Sequence, residues 1–572
     1  MNRSHVASRP GTRWGWLLLA LCMFGANGFA QTSQTPAEFF GYTLGDDPRV
    51  PDWDRIVAYF EHLSQTSDHV RYEIVGRTSQ DRPLILATVS SSENLEHSEE
   101  IRRIQMKLAD PRTIAPGELD TLIHDGRPMM LFFVSEAAHT AAWMSQILFL
   151  HRVATEESEQ VRAWRDNTVL LFMATMNPAG LDFVHDWVEK TRGTEWEGVD
   201  LPELSSFNGE TNRDCYTFSM PEARAVVGTI KRWQVNAIHD IHTMGSQLRP
   251  GVRFFTPPYI GTIEPNIHPM IWHLQNERGM AMAGHALRIL TEASAPRLSA
   301  PARWRFEDLR QDSGIDPKFA SEKFPVVWRG GEWGNKQILP YIAAAREANV
   351  GHLSNNRERY LRVKYTAASD ALAGVDAPFA YLIPPDQNDP STMREMLTML
   401  AFGEVDIYRA EEALSANGRS YPAGTYVIPL RQPFGNFAKA MLEPQSYPEV
   451  RACRTCPVRA PYDTVAFSYP YAMGVEADVV ASEFTAEMVL VEDFSPEGGA
   501  VEGTTRQGTY LLSYTENGAL KAVSSLLEAG VDLGWAEAGF DAAGGSWPAG
   551  TFVITSAPDI GAKLEALASE FG

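Results

Sequence analysis

Two histidines and an aspartate lie close together in the stretch "AIHDIHTMGS", residues 237–246. Imidazole nitrogens and carboxylates bind zinc and transfer protons, so these side chains are the first candidates for chemistry. The preceding segment, 221–233, starts with a proline and has the apolar spacing of a helix, and the motif follows it as a strand. Alternation along that strand puts Asp240 and His242 on one face and His239 on the other. The two histidines are therefore not predicted to bind one metal ion together.

The elements that must position this motif are strands alternating with helices. The runs 129–134 and 168–175 are apolar throughout, which is typical of strands buried on both faces of a sheet. Helical spacing of apolar residues recurs at 56–63 and 143–150. This alternation predicts an α/β fold with a largely parallel sheet. Catalytic groups in such sheets gather at the carboxyl ends of the strands, where the histidine motif is expected.

The first 30 residues have the pattern of a cleaved secretory signal. Three arginines precede the apolar run "WLLLALCMFGA", and small residues follow up to Ala30, after which cleavage is predicted. The run is too short for a spanning helix, so we expect no membrane span and a secreted or periplasmic protein. Removing the three arginines takes the formal charge from -22 to -25. This charge disfavours nucleic acid and anionic membranes and leaves small molecules or peptides as partners.

Three cysteines remain after the signal is removed. Cys453 and Cys456, in "CRTC", are predicted to form a short-loop disulfide, because no second pair exists to complete a metal knuckle. Cys215 is then left over and is predicted to be a small buried residue.

The last third of the chain contains an internal repeat. The sequence "PAGTYVI" at 422–428 recurs as "PAGTFVI" at 548–554, within repeats at about 379–430 and 508–555. Each repeat is predicted to run strand, helix, strand, turn, strand, which makes a duplicated small α/β module. No nucleophile, metal cluster or phosphate loop occurs in it, so a structural or ligand-positioning role is expected.

Several segments, taken in chain order, resemble the zinc carboxypeptidase family with its carboxypeptidase A-like fold. They are "GRTSQDRPLILATVS" (76–90), "MNPAGLD" (176–182), "TNRDCYTFSMPEARA" (211–225), "HDIHTMGS" (239–246) and "GHALRILTEAS" (284–294). Further segments, among them "FPVVWRGGEWG" and "SYPAGTYVIPL", are similar to the long bacterial secreted branch of the family. The resemblance implies a mixed, mostly parallel sheet with helices on both faces over 31–372. A composition shift near "AGVDAP" (373–378) predicts the boundary with a separate domain over 373–572.

The resemblance also implies a set of site residues. In the family, zinc is held by a His-x-x-Glu pair and a later histidine, a glutamate is the general base, and Asn-Arg binds the terminal carboxylate of the peptide. By position, His242 matches the later histidine and Glu292 the base. Asn212 and Arg213 match the carboxylate-binding pair, and Arg192 matches the arginine that stabilises the oxyanion. Zinc and a peptide with a free C-terminal carboxylate are the implied cofactor and partner.

The stretch "VSEAAHTAAWMSQ", residues 134–146, departs from the family. Counting back from its final "SQ", the zinc-binding histidine and glutamate fall on Ala138 and Ala141. A shift of one residue brings His139 into place, but Ala142 then takes the position of the glutamate. The sequence has no acidic residue between 137 and 154, so the glutamate is lost in both alignments.

Two interpretations of this stretch remain open. Glu136 and His139, in the reversed order Glu-x-x-His, could join His242 to give two nitrogens and one carboxylate. Alternatively, His139 is a polar residue at a helix start, and Glu136 is a charge favoured by the helix N-terminus.

The other implied residues also have alternatives. Ala179 stands where the family usually has aspartate, and the segment before Glu292 is short, so Glu292 is either the base or an ordinary surface carboxylate. Arg213 either binds an anion or pairs with Asp214 or Asp240.

Three functions follow from these observations. The first is a secreted zinc metallocarboxypeptidase, and the second is a catalytically inactive peptide- or carboxylate-binding pseudopeptidase. Alanines at the ligand positions favour the second, because alanine neither binds metal nor replaces the charge. The third is a scaffold that acts through the C-terminal repeat. A serine hydrolase is disfavoured because no Gly-x-Ser-x-Gly motif occurs.

Overall fold

Helices and strands alternate along most of the chain, and a computed structural model describes it over residues 32–46, 49–134, 140–199, 214, 216–244, 286–294, 300–309, 316, 318–320, 327–374, 378–444, 449, 451, 453–458, 468–496, 498–503, 508–555 and 558–572. The α-helices of this part are α1 Pro36–Phe40, α2 Trp53–Thr66, α3 Ser92–Glu96, α4 Ser98–Ala109, α5 Leu119–Asp125, α6 Thr140–Thr155, α7 Glu159–Asn167, α8 Pro178–Thr191, α9 Pro221–Trp233, α10 Asn335–Asn355, α11 Arg357–Ala373, α12 Pro390–Phe402, α13 Gly435–Leu442, α14 Tyr469–Met473, α15 Asn517–Glu528 and α16 Ile560–Phe571. The strands are β1 Val70–Arg77, β2 Pro83–Val89, β3 Met129–Phe133, β4 Val169–Phe172, β5 Ala237–Met244, β6 Leu287–Ser294, β7 Ala302–Arg305, β8 Gly330–Trp333, β9 Ala380–Ile383, β10 Tyr408–Ala410, β11 Leu414–Ala416, β12 Arg419–Tyr421, β13 Tyr426–Pro429, β14 Asp478–Val480, β15 Met488–Leu490, β16 Tyr510–Leu512, β17 Leu533–Trp535, β18 Phe540–Ala542, β19 Gly545–Trp547 and β20 Phe552–Ile554.

A six-stranded sheet with the order β1-β2-β4-β3-β5-β6 organises the first part of the chain. The pairs β1/β2 and β2/β4 are antiparallel, whereas β4/β3, β3/β5 and β5/β6 are parallel. The predicted α/β fold with a mixed, mostly parallel sheet is confirmed. Because β3, β5 and β6 are parallel neighbours, their carboxyl ends meet at one edge of the sheet.

Helices cover both faces of this sheet, because its strands are apolar on both sides. In β3, Met130 and Phe132 pack in the same core as residues of α2, α6 and α10. Leu131 and Phe133 of the same strand pack on the other side, with residues of α9. All four side chains are buried. The predicted burial of this strand on both faces is confirmed.

Helix α9 has the predicted bounds, and the turn before it explains why it begins at Pro221. The buried carboxylate of Asp214 accepts hydrogen bonds from the Ser219 backbone N–H at 3.0 Å, the Ser219 hydroxyl at 2.8 Å and the Met220 N–H at 2.7 Å. Pro221 follows at the first helical position, where a missing N–H costs nothing. Asp214 is thus a structural carboxylate that fixes the entry into α9 and, beyond it, β5.

The C-terminal part contains two segments with the same order of elements. In the first, β9, α12 and β10–β13 give the strand order β9-β13-β10, and in the second, β16, α15 and β17–β20 give β16-β20-β17. The registers correspond as well, since Val427 pairs with Leu382 and Val553 pairs with Leu511. A helix follows each copy, α13 in the first and α16 in the second. The first copy gains two more strands, β14 beside β9 and β15 beside β10.

The two parts of the chain share a core. Phe218 and Val227, from the α9 region, belong to the cluster that fills the space around α12 and α13.

Two further findings concern the cysteines and the membrane. Cys453 and Cys456 form the predicted disulfide, whereas Cys215 lies outside the described residues. Within the described part, none of the helices has the length and apolarity needed to span a bilayer.

Candidate active site at the end of strand β5

His242 and Asp240 lie side by side on one face of β5, as the alternation of the strand predicts. The distance from His242 Nε2 to Asp240 Oδ1 is 3.0 Å. Both residues are buried, with relative exposures of 6% and 0%. A buried carboxylate next to an imidazole favours a fixed ring orientation and a proton on the nitrogen that faces the carboxylate.

Glu292 lies on the neighbouring strand, level with His242. The two strands are parallel, and the register pairs His242 with Glu292 and Asp240 with Leu290. The backbone thus brings together the candidate metal ligand and the candidate base, which are 50 positions apart in the sequence. The role of Glu292 as a base remains a prediction.

His239 lies on the opposite face of β5, in a buried polar cluster. Its ring packs against Phe132, with 5.7 Å between ring centroids, and its Nδ1 is 3.3 Å from the Asn349 side-chain nitrogen. Burial, reinforced by the nearby Arg346 guanidinium, lowers the pKa of His239 to about 3. His239 is therefore a neutral core residue, and it does not share a strand face with His242.

Arg346 of α10 is the centre of this cluster. Its guanidinium donates hydrogen bonds to Gln146 Oε1 at 2.8 Å and Ser145 Oγ at 2.9 Å, and it lies 5.2 Å from the Phe132 ring centroid. The side chain is fully buried, and burial lowers the pKa of the guanidinium well below its ordinary value. Nothing in the sequence marks Arg346 as the partner of the "SQ" pair, because 200 positions separate Gln146 from Arg346.

The positions of the family's zinc-binding glutamate lie in the hydrophobic core. Ala141 and Ala142, in the first turn of α6, have 0% exposure and belong to the large cluster on that face of the sheet. A carboxylate at either position would be buried next to the apolar side chains of that cluster. The local packing therefore shields both positions aligned with the family's glutamate from solvent.

Arg192 is placed at the end of α8. It caps the last turn of the helix, and its Nη2 lies 2.8 Å from Glu189 Oε2 in a solvent-exposed pair. Its assignment as the oxyanion-stabilising arginine remains a prediction.

The remaining sequence-predicted residues lie outside the described part of the chain. They are Glu136, His139, Asn212 and Arg213. The residue after this last pair, Asp214, is described, and its carboxylate binds the turn before α9.

The described residues do not by themselves fit a catalytic zinc ion. They supply His242 and Asp240 on one strand face, but a catalytic zinc needs three protein ligands and one open position. In the part of the chain that the structure describes, no group of three or more His, Cys, Asp or Glu side chains is arranged to hold a metal. No step of chemistry is therefore derived through zinc.

Comparison with known proteins relates one segment of the chain to a family. Residues 56–249 match the family model of the zinc carboxypeptidases, Peptidase_M14, a segment that runs from α2 to just past β5. The resemblance to this family is thus confirmed over that segment. A comparison with curated proteins gave no match.

Solved structures similar to the chain include carboxypeptidases. The enzyme from Burkholderia cenocepacia is 13% identical, with a TM-score of 0.30 over 53% of this chain and 69% of that one. The enzyme from Pseudomonas aeruginosa, solved in complex with (2-guanidinoethylmercapto)succinic acid, is 12% identical, with a TM-score of 0.29 over 54% of this chain and 70% of that one. Carboxypeptidase A from Helicoverpa armigera is 13% identical, with a TM-score of 0.28 over 59% of this chain and 78% of that one.

Proposed function

We propose that this protein is a carboxypeptidase relative that binds peptides or small molecules by a free carboxylate and does not hydrolyse them with zinc. The proposed binding site lies at the carboxyl edge of β5 and β6. Arg213 and Asn212, which the sequence matches to the family's carboxylate-binding pair, bind the carboxylate, because a planar guanidinium suits two parallel hydrogen bonds to it.

The burial of Ala141 and Ala142 carries this proposal. Both positions at which the family's glutamate ligand could stand are occupied by alanine, and both have 0% exposure in a continuous core. Moving a carboxylate there requires either a charged group in an apolar environment or a rearranged helix start. Loss of this ligand removes most of the affinity for a catalytic metal.

The pairing of His242 with Asp240 agrees with this function, and it agrees equally with metal binding through the other ring nitrogen. The His242 Nε2 faces the buried Asp240 carboxylate at 3.0 Å, so a protein group occupies the nitrogen on that side of the ring. The imidazole then lines the pocket, and a protonated ring there favours a carboxylate ligand. The signal-like N-terminus supports a binding function outside the cytoplasm, in the periplasm or the medium.

A zinc metallocarboxypeptidase is the second candidate function. The observation that favours it is the register of β5 and β6, which sets Glu292 level with His242. It requires both Glu136 and His139 to join His242 in the metal site.

Two measurements on the full chain separate these functions. The first is the zinc content by mass spectrometry, after dialysis against excess zinc and then against metal-free buffer. The second is binding of N-acetyl dipeptides by calorimetry, comparing the free acid with the C-terminal amide. Arg213→Gln tests the carboxylate site, and Arg162→Gln, an exposed arginine of α7, is the matched control.

We expect no retained zinc, binding of the free acid alone, and at least a tenfold loss of affinity in Arg213→Gln, since removing one partner of a hydrogen-bonded charge pair costs about 2 kcal/mol or more. One zinc per chain with release of the C-terminal residue would establish the enzyme instead. Equal binding of acid and amide would exclude the carboxylate site.

A further inference from the structure

The two C-terminal repeats differ in what covers the outer face of their sheets. Each sheet has one face that packs on a core, which contains Ile428 in the first repeat and Ile554 in the second. We call the opposite face of each sheet its outer face. Six apolar residues form this face in each repeat. In the first they are Leu382, Ala410, Leu414, Ala416, Tyr421 and Val427, and in the second they are Leu511, Ala536, Phe540, Ala542, Trp547 and Val553.

In the first repeat an extended segment, residues 478–486, covers the outer face. It begins with β14, which pairs antiparallel with β9, and the Phe379 N–H donates to the Val480 carbonyl at 2.8 Å. Val480, Phe484 and Ala486 then pack against the outer face. With this cover, every one of the six residues is at most 6% exposed.

The second repeat has apolar residues at the corresponding positions, but within the described part of the chain no segment packs on them as residues 478–486 do in the first repeat. All six of its outer-face residues are half-buried, whereas their counterparts in the first repeat are buried. Among the described strands, β16 pairs with β20, and all three residues of β16 line one cavity, so its edge faces that cavity. An apolar sheet face next to an edge that faces a cavity is the arrangement that accepts an added strand.

A cavity of 1050 Å³ passes this edge and touches both sides of β16. On one side it is lined by Leu511, Val553 and Trp547 of the outer face, and on the other by Tyr510 and Leu564. Its volume is enough for several side chains of an extended peptide.

The charges around the second repeat have changed with the loss of the cover. In the first repeat, Arg419 pairs with Asp478 at 2.7 Å, and Arg431 pairs with Glu483, so two arginines hold the acidic covering segment. The corresponding sequence positions in the second repeat are Gly545 and Ala557.

Carboxylates line the cavity instead. Glu502, Glu516 and Glu565 are among the lining residues, and the described lining includes no lysine or arginine. The expected occupant of the cavity therefore carries positive charge.

We propose that the outer face of the second repeat and the cavity-facing edge of β16 bind an extended segment of a partner protein. Its apolar anchors are spaced like Val480, Phe484 and Ala486, and basic residues lie between or beside them. The segment adds as an antiparallel strand to β16 and closes the apolar face, as residues 478–486 do in the first repeat. This site is separate from the carboxylate site of the proposed function.

A peptide of nine residues tests this proposal on the full chain. It is "KVVASKFTA", the sequence of residues 478–486 with Asp478→Lys and Glu483→Lys, labelled at the N-terminus and amidated at the C-terminus. The amide prevents binding at the carboxylate site, so the outcome is independent of the proposed function. The unchanged sequence "DVVASEFTA" and a peptide with serine in place of Val480 and Phe484 are the controls.

Leu511→Lys places a charge on the outer face, and Leu520→Lys makes the same change at an exposed position of α15 outside the cavity. Glu565→Gln keeps the shape of the cavity and removes one negative charge. Circular dichroism shows whether each variant is folded, and fluorescence anisotropy gives the affinity at low and high salt.

We expect the basic peptide to bind, and the acidic and serine peptides to bind at least tenfold more weakly. Leu511→Lys should weaken binding at least tenfold, Leu520→Lys should leave it unchanged, and Glu565→Gln should weaken it about twofold with a smaller salt dependence. No binding of the basic peptide, or equal binding to the Leu511 and Leu520 variants, would overturn the proposal. A dimer that Leu511→Lys dissociates, without peptide binding, would overturn it by assigning the face to a second copy of the chain.

Discussion

The imidazole of His242 and the carboxylate of Asp240 face each other at 3.0 Å on a single strand, both buried. In this arrangement a carboxylate can orient a metal-binding histidine, and the same arrangement is found in an ion pair that binds no metal. The two differ in one measurable respect, because a protein with an orienting carboxylate gains stability when metal binds to the ring. The response of stability to zinc is therefore the informative quantity.

We expect His242→Ala to lower the free energy of unfolding by about 2 kcal/mol, because the Asp240 carboxylate loses its neighbouring imidazole while remaining buried. A double-mutant cycle with Asp240→Asn should give a coupling energy of about 1 kcal/mol or more. Urea unfolding measures all four proteins. The wild-type value should be the same with zinc and with chelator, and a rise in zinc that His242→Ala abolishes would contradict the non-metal interpretation.

A second prediction concerns Ala141 and Ala142, which the sequence aligns with the family's glutamate ligand. Ala141→Glu should lower the free energy of unfolding by about 3 kcal/mol or more, because it buries a carboxylate among apolar side chains. Ala344→Glu, at an exposed position of α10, is the matched control and should change stability by less than about 0.5 kcal/mol. Thermal or urea unfolding tests both. A stable Ala141→Glu variant that gains one zinc per chain would show that the site can be restored by a single side chain.

Much of the fold could be predicted from local patterns in the sequence. The bounds of α9 follow from Pro221 and the helical spacing after it, and the alternation of β5 correctly placed Asp240 and His242 on one face. These predictions succeeded because each depends on neighbours only a few positions apart.

The missed features are contacts between distant segments. Arg346 reaches Gln146 across 200 positions, and its stretch of α10 has no pattern that marks a buried cation. Likewise, Lys364 donates to the Gln234 carbonyl and lies near Glu404, which no spacing in the sequence indicates. Residues of this kind are set by packing of whole elements, which one sequence does not reveal.

Lys364 gives a prediction for pH dependence. Burial lowers the pKa of Lys364 to about 7, although the nearby Glu404 carboxylate acts in the opposite direction. The unfolded chain keeps this lysine protonated up to about pH 10.4. Between pH 7 and that value the unfolded state binds more protons, so the contribution of Lys364 to stability rises with pH.

The measurement is the free energy of unfolding at pH 7 and pH 9, in a Glu404→Gln background so that the neighbouring carboxyl group does not titrate. From pH 7 to pH 9 the protein with Lys364 should gain about 2 kcal/mol relative to Lys364→Met. Lys521→Met, at an exposed position of α15, should leave the pH dependence unchanged. Equal slopes with and without the Lys364→Met substitution in this background would mean that the lysine titrates normally.

The last prediction concerns the shared core between the two parts of the chain. Phe218 is 1% exposed, and its ring lies 5.0 Å from that of Phe402 at the end of α12, so it belongs to the C-terminal core although it precedes α9.

Phe218→Ala should lower the free energy of unfolding by about 3 kcal/mol, because it leaves a cavity between the two parts. Phe183→Ala, on α8 with 36% of its surface exposed, removes the same atoms from a less buried position and should cost less than about half as much. Urea unfolding followed by tryptophan fluorescence measures both variants. Because Phe218 joins the parts, its loss should also separate the unfolding of residues 31–372 from that of 373–572 in proteolysis experiments. If Phe218→Ala instead unfolds in a single transition with an unchanged midpoint, the joint unfolding of the two parts does not depend on this contact.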